Sequence, residues 1–375
     1  MTEKRSIFEE VGEKPVEARK VAKAKVVPQK ALIFWLGLLF LLLVLIIAVG
    51  GMTRLTDSGL SITEWRPVTG AIPPLSVADW EVEFGKYQNS PEFMLQNSAM
   101  TMQEFKGIFW WEWGHRLLGR FIGLVWAVGF FWFLLRRQIP TGWTGRLLAL
   151  GVLGGLQGAL GWWMVASGLT GRMVDVASYR LAMHLGLAFV ILGLIAWYIM
   201  SLRLGSAEML QARRRRESGL MLWAGVLVAV LFAQILLGAL VAGIDAGRSF
   251  TSWPDMAGYF FPPGSLDYKP LWSNFFENPG LVQFNHRMLG YIAFVLGLIL
   301  WWKSRSSPVR ATRGAVNVMM LMMLAQVVLG IVTVLYMARM DIAITHQIGA
   351  VILFVLALRV RFVAAYPAAE KIARG

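Results

Sequence analysis

The chain has no cysteine, only four histidines, and a charged fraction of 15% in 375 residues. The first absence removes disulfides, thiolate metal centres, iron–sulfur ligation by cysteine and any cysteine nucleophile, so whatever chemistry exists must use other ligands. The shortage of charge excludes an ordinary soluble globular protein, in which roughly 25% of residues are charged and about 45–50% apolar. Hydrocarbon takes the place of charge: 57% of the residues are hydrophobic, among them 17 Trp and 22 Phe.

Apolar stretches long enough to cross a bilayer, which takes about 20 residues, fall at 32–52, 109–135, 143–168, 179–202, 218–243, 283–302, 313–336 and 342–362. The fold class they predict is an all-α integral membrane protein with eight transmembrane helices. The first run follows a polar, lysine-rich segment without a small-residue cleavage site, so it reads as a retained span rather than a signal peptide. The formal charge of +14 would point to nucleic acid in a soluble protein, but its placement decides otherwise. Two thirds of the Lys and Arg lie in the N-terminal tail, the loops near 136–146, 203–216 and 303–313, and the C-terminal tail. The positive-inside rule puts that side, and both termini, in the cytoplasm. The run Arg213-Arg214-Arg215-Arg216 is then a topology anchor and not a nucleic-acid patch. Two long connections, 53–108 and 244–282, lie on the outer side and are rich in Trp, Pro and Gly, which predicts ordered caps over the helix ends.

An internal repeat divides the chain. His115-Arg116-Leu117-Leu118-Gly119 opens the second span and His286-Arg287-Met288-Leu289-Gly290 the sixth, while His184-Leu185-Gly186 opens the fourth and His346-Gln347-Ile348-Gly349 the eighth. This predicts two pseudo-symmetric four-helix bundles, 32–202 and 218–362, joined by a basic cytoplasmic linker, 203–217, and flanked by cytoplasmic tails 1–31 and 363–375. Each half has an even number of spans, so the two enter the membrane in the same sense and are related by an axis along its normal. Gln157 with Gly161, Gln234 with Gly238, and Gln326 with Gly330 repeat one Gln-x-x-x-Gly spacing in the third, fifth and seventh spans. The reading of these pairs is packing, with Gly admitting a close neighbour and the amide bonding across the interface.

All four histidines sit a few residues inside the outer end of an even-numbered span. One intramembrane His is ordinarily a satisfied polar group, but four at a common depth favour two facing pairs, His115 with His184 and His286 with His346. Two imidazoles without cysteine or a carboxylate set are too few for a closed zinc site, yet they suffice as the axial ligands of a haem, whose macrocycle supplies the other four nitrogens. A four-helix core is a usual place for such a group. Arg116 and Arg287 follow their histidines at the outer interface, where they either pair with haem propionates or snorkel to water.

The repeats differ at one telling position: Glu112 in the first half stands where the second has Gln283, each three residues before its His and on the same helical face. A carboxylate at that depth can accept or move protons, whereas an amide can only hold something in place. The asymmetry suggests a reactive N-terminal half and a cofactor-holding C-terminal half, beside the plainer reading of Glu112 as an interfacial acid.

These residues, together with Gly51-Met52-Thr53-Arg54-Leu55-Thr56, Gly59-Leu60-Ser61-Ile62, Glu64-Trp65-Arg66-Pro67-Val68-Thr69-Gly70, Pro73-Pro74, Phe250 and Trp253-Pro254, resemble the haem A synthase family along essentially the whole chain. The resemblance implies an oxidoreductase of the bacterial inner membrane that converts a methyl group of haem O to a formyl group by successive hydroxylation, giving haem A for terminal oxidases. It implies that His286 and His346 bind a resident haem b, that His115 and His184 address the substrate haem, and that Glu112 takes part in the oxidation. Some family members carry a Cys pair in the first outer loop; this chain is similar to the Cys-free branch. Expected partners are haem O, membrane lipid, an electron donor, a haem O synthase delivering its apolar product, and a further copy of the chain; nucleic acid is not among them. The rival from the residues alone is an electron-transfer cytochrome with two bis-His haems. A transporter would need broken spans with continuous polar lining, and a haem-farnesylating enzyme would need Asp-rich motifs; neither is present in the sequence.

Overall fold

The computed structural model describes residues 29–171 and 173–368, so most of the basic N-terminal tail and the end of the C-terminal tail lie outside the described residues. Eight helices are long and apolar enough to cross a membrane: Gln29–Leu55, Met102–Leu135, Thr144–Gly168, Ser178–Leu204, Ser218–Gly243, Pro279–Ser304, Arg310–Leu335 and Met340–Ala365. They are called the first to eighth spans below. Met256 and Tyr259 form an isolated bridge in the second outer loop, and no strand occurs among the described residues. The protein is therefore an all-helical, multi-pass membrane protein.

The apolar runs and the helices differ most at two outer ends, for a local reason. The second span begins at Met102 because Thr101 and Glu104 form a capping box, the Thr101 Oγ1 accepting from the Glu104 amide and Glu104 Oε2 accepting from the Thr101 amide at 2.8 Å. The sixth begins at Pro279, whose missing N–H suits a first helical turn, with Asn278 Oδ1 accepting from the amides of Gly280 and Leu281. Hydrophobicity marks the part of a helix in lipid; the cap decides where the helix starts.

Each of the first four spans packs on its sequence neighbour, and the fourth returns to the first; the fifth to eighth spans repeat the same ring of contacts. The fourth span lies against the fifth, the first against the eighth, and the fourth and eighth against each other. That seam is wholly apolar at mid-depth. Phe189, Leu192 and Ile195 of the fourth span meet Phe354 and Ala357 of the eighth, with the rings of Phe189 and Phe354 edge to face at 5.6 Å. Gly193 lets the backbones approach there: a Cβ would sit 3.2 Å from Leu358 Cδ1.

The first outer loop is an ordered cap. It carries the helix Val77–Gln88, closed by a Ser76–Asp79 capping box, and the short helix Pro91–Leu95. Trp80 and Tyr87 pack with Phe105 and Phe109 at the extended start of the second span, forming an aromatic core above the membrane. The second outer loop is irregular and includes cis peptide bonds at Trp253-Pro254 and Lys269-Pro270. At the seam Arg54 Nη1 pairs with Asp57 at 2.5 Å, Nη2 with Asp245 at 2.7 Å, and Nε donates to the carbonyl of Ala242.

Candidate functional site

The second and fourth spans carry His115 and His184 in the first ring of helices, and the sixth and eighth carry His286 and His346 in the second. Each imidazole faces a glycine on the adjacent odd-numbered span. An ideal Cβ would stand 2.9 Å from His115 Cε1 at Gly50, 2.9 Å from His184 Cε1 at Gly161, 3.1 Å from His286 Cε1 at Gly238 and 3.3 Å from His346 Cε1 at Gly330. The absence of a side chain at these four points makes room for the rings. Nδ1 of His115 and of His346 is buried without a hydrogen-bond partner.

The three glutamines read from sequence as packing residues are bonded to the histidines themselves. Gln157 Nε2 donates to the carbonyl of His184 at 2.9 Å and lies 3.1 and 3.3 Å from its two ring nitrogens. Gln234 repeats this on His286, at 2.9 Å to the carbonyl and 3.2 and 3.3 Å to the ring nitrogens. Gln326 Nε2 donates to the carbonyl of His346 at 3.1 Å. Bonding across an interface was the expectation; that the partner is histidine was not. The signal available in the sequence was that the Gln-x-x-x-Gly pairs alternate with the histidine-bearing spans, so each pair has a histidine on its neighbour.

Glu112 is buried, with 3% of its surface exposed, and its carboxylate accepts four bonds. Oε2 takes Ser61 Oγ and the Ile62 amide, each at 2.7 Å, and Oε1 takes Nε and Nη2 of Arg116 at 3.1 and 2.6 Å. The pair is favoured by its order, an acid four residues before a base on one helix. The remaining Arg116 contacts go to the carbonyls of Ile62 and Glu64, so this guanidinium ties the second span to the first outer loop. Arg287 plays the same part in the second half, donating to the carbonyls of Phe250, Ser252 and Asp255.

Gln283, the counterpart of Glu112, is equally buried, but its Nε2 donates to the Phe250 carbonyl at 3.0 Å while its Oε1 receives Arg287 Nη2 at 3.4 Å. The swap thus has a structural counterpart in the loops. The first presents donors and meets an acceptor-only carboxylate; the second presents a carbonyl and meets an amide with both functions.

Among the described residues no three His, Cys, Asp or Glu side chains converge as a metal-ion site. Two imidazoles per half, backed by glycine and with buried ring nitrogens unpartnered, suit instead a metal whose other positions are already filled by a planar tetrapyrrole. The donor set fits a haem in either half.

Comparison with known proteins agrees with this chemistry. The sequence profile of a family described as cytochrome oxidase assembly protein matches residues 33–358. Proteins named heme A synthase are similar over nearly their whole length. That of Dinoroseobacter shibae is 59% identical over 99% of both chains, that of Roseobacter denitrificans 56% over 99% of both, and that of Ruegeria pomeroyi 57% over 99% of this chain and 100% of its own.

Proposed function

The chain belongs to the haem A synthase family of cytochrome oxidase assembly proteins, and from that premise we propose that it oxidises haem O to haem A within the membrane, taking one porphyrin methyl group to a formyl group by successive hydroxylation. The observation that carries the site assignment is the pair of intramembrane histidine pairs, each imidazole set against a glycine.

On this reading His286 and His346 hold a resident b-type haem, and His115 and His184 receive the substrate. When bound, the resident haem supplies one-electron transfer. Gln234 bonds His286 at carbonyl and ring, and Gln326 bonds the carbonyl of His346, tying the resident pair to the adjacent spans. Glu112 lies three residues before His115, where Arg116, Ser61 and Ile62 bond its two oxygens. Methyl oxidation removes electrons and protons together, and Glu112 is the group to which this reading assigns acid–base participation in the first half. The excess of Lys and Arg in one set of loops supports an orientation in the inner membrane with both termini toward the cytoplasm. A haem O synthase is a fitting source for a substrate too apolar to cross water freely.

The test is to extract and identify the haems of the purified membrane protein, wild type and Glu112→Gln. Haem b together with haem O, haem A or a hydroxylated intermediate is expected in the wild type. The variant should keep haem b and accumulate haem O or the hydroxylated intermediate. Haem b alone in both halves of the wild type would favour a di-haem electron carrier, and unimpaired haem A output from Glu112→Gln would remove Glu112 from the reaction.

A further inference from the structure

Four histidines face four glycines, but only three glutamines lie one helical turn below those glycines. Gln157, Gln234 and Gln326 precede Gly161, Gly238 and Gly330 by four residues; the residue four before Gly50 is Ile46. The register is structural as well as sequential. Ile46 Cδ1 lies 3.6 Å from the Cβ position of Gly119, one turn past His115, and Gln234 Nε2 lies 3.3 Å from that of Gly290, one turn past His286. Ile46 therefore fills with a methyl group the place from which Gln234 reaches His286. Among the described residues no side chain donates to the carbonyl of His115, and its Nδ1 is buried without a partner. Every other histidine is held by an amide at its carbonyl, and His184 and His286 at the ring as well.

We propose that Ile46 makes His115 the exchangeable ligand of the first half, the one histidine bonded by an amide at neither ring nor carbonyl, so that it can turn aside for a substrate haem to enter and its product to leave. The proposal rests on reading the first half as the substrate site. The physical basis is ordering. An imidazole already held by an amide gives up little conformational freedom when it ligates, whereas an unheld one gives up rotamer freedom each time. Hydrogen-bonded partners of metal-ligating histidines change affinity by about 10- to 100-fold. A resident cofactor profits from an amide on each ligand, at ring and carbonyl for His286 and at the carbonyl for His346, whose Nδ1 is unpartnered. A substrate that must leave as product profits from one held ligand, His184, and one loose ligand, His115. Ile46 acts through His115 and is a positioning residue; it touches no reacting atom.

The experiment uses full-length protein in lipid nanodiscs loaded with haem O, with release followed by transfer to an excess of a high-affinity apo-haem protein and by the absorbance of the bis-imidazole species. Ile46→Gln should slow release of haem O from the first half by about tenfold and sharpen the low-spin spectrum, while release of haem b from the second half stays as in wild type. Ile46→Met, of similar bulk and without an amide, should behave as wild type. The reciprocal Gln234→Ile should speed haem b release by a similar factor and tests the same physics if Ile46→Gln fails to fold. Unchanged release in Ile46→Gln, or in Gln234→Ile where the first variant is not recovered, overturns the proposal. A wild-type first half that retains no haem O, or retains it equally in His115→Ala and His184→Ala, instead overturns the substrate-site reading.

Discussion

Glu112 meets donors from its loop and Gln283 meets a carbonyl, so neither can be exchanged for the other without cost. An amide at 112 would turn its NH₂ toward either Arg116 or the Ser61 and Ile62 donors, loosening the loop as well as removing an acid. Loop integrity must therefore be followed alongside chemistry in that variant. The same loop holds a second buried acid. Glu92 is 3% exposed with Oε2 unpartnered. Burial pushes its carboxyl up to about 8, the charges of Asp175, Glu112 and Asp57 adding to the rise and Tyr87 opposing it. Below its ordinary value of 4.5 the folded and unfolded loops both hold the proton, and between there and about 8 only the folded loop does. The loop should thus lose stability as pH rises through that window. Glu92→Gln is expected to flatten this dependence, measured as the rate of limited proteolysis of 53–108 against pH; an unaltered profile would show that Glu92 does not govern it. At this scale the identities and depths of the four histidines and of Glu112 were legible from the sequence. The partners of Glu112 were not, because Ser61 and Ile62 reach it only through the fold of a long loop, and the place of the glutamines against histidine needed the rotation of neighbouring helices.

For the helices, the number of spans and their order follow directly from the apolar runs, since lipid leaves a backbone few alternatives to a continuous helix. The early starts at Met102 and Pro279 were hidden because capping by Thr101 and Asn278 extends helix into polar sequence. Glycines within the spans are not equivalent, and only geometry separates them. A Cβ at Gly238 would press on His286 Cε1 at 3.1 Å, whereas one at Gly37 would meet nothing within 4 Å. Gly238→Ala should reduce retention of haem b in the purified protein several-fold, while Gly37→Ala should leave haem content unchanged. Equal haem content in the two variants would show that the contact does not constrain the ligand.

For the whole molecule, the seam between the fourth and fifth spans and between the first and eighth is apolar at mid-depth, bridged nearer its outer end by Gln347 donating to the Ile47 carbonyl at 2.7 Å, and ionic at its outer edge. Arg54 gathers Asp57, Asp175 and Asp245 there, with 12% of its side chain exposed. Arg54→Ala would leave Asp57 and Asp175 without their cation and Asp245 with only Arg248, at 3.6 Å, so it should lower the melting temperature in detergent; the deficit should shrink at acidic pH as Asp175, whose carboxyl burial raises above its ordinary range, protonates. A melting temperature unchanged at neutral pH would assign the seam to its apolar contacts alone.

Asp57 and Asp245 each stand seven residues beyond a histidine-facing glycine, Gly50 and Gly238, and both adopt left-handed backbone, with φ of 49° and 51°. By the same register the counterpart of Arg54 is Ala242, whose carbonyl Arg54 holds. Two identical polypeptides meeting here would have to carry an arginine on both sides and crowd two cations into one crevice. A single gene holding two copies in tandem can keep one arginine and trim the other to alanine. By the same freedom it can put an acid in one copy and an amide in its twin, or a methyl where the twin has a hydrogen-bond donor. The seam thus shows what covalent fusion makes accessible: two halves free to differ residue by residue, where self-associating copies would be obliged to stay alike.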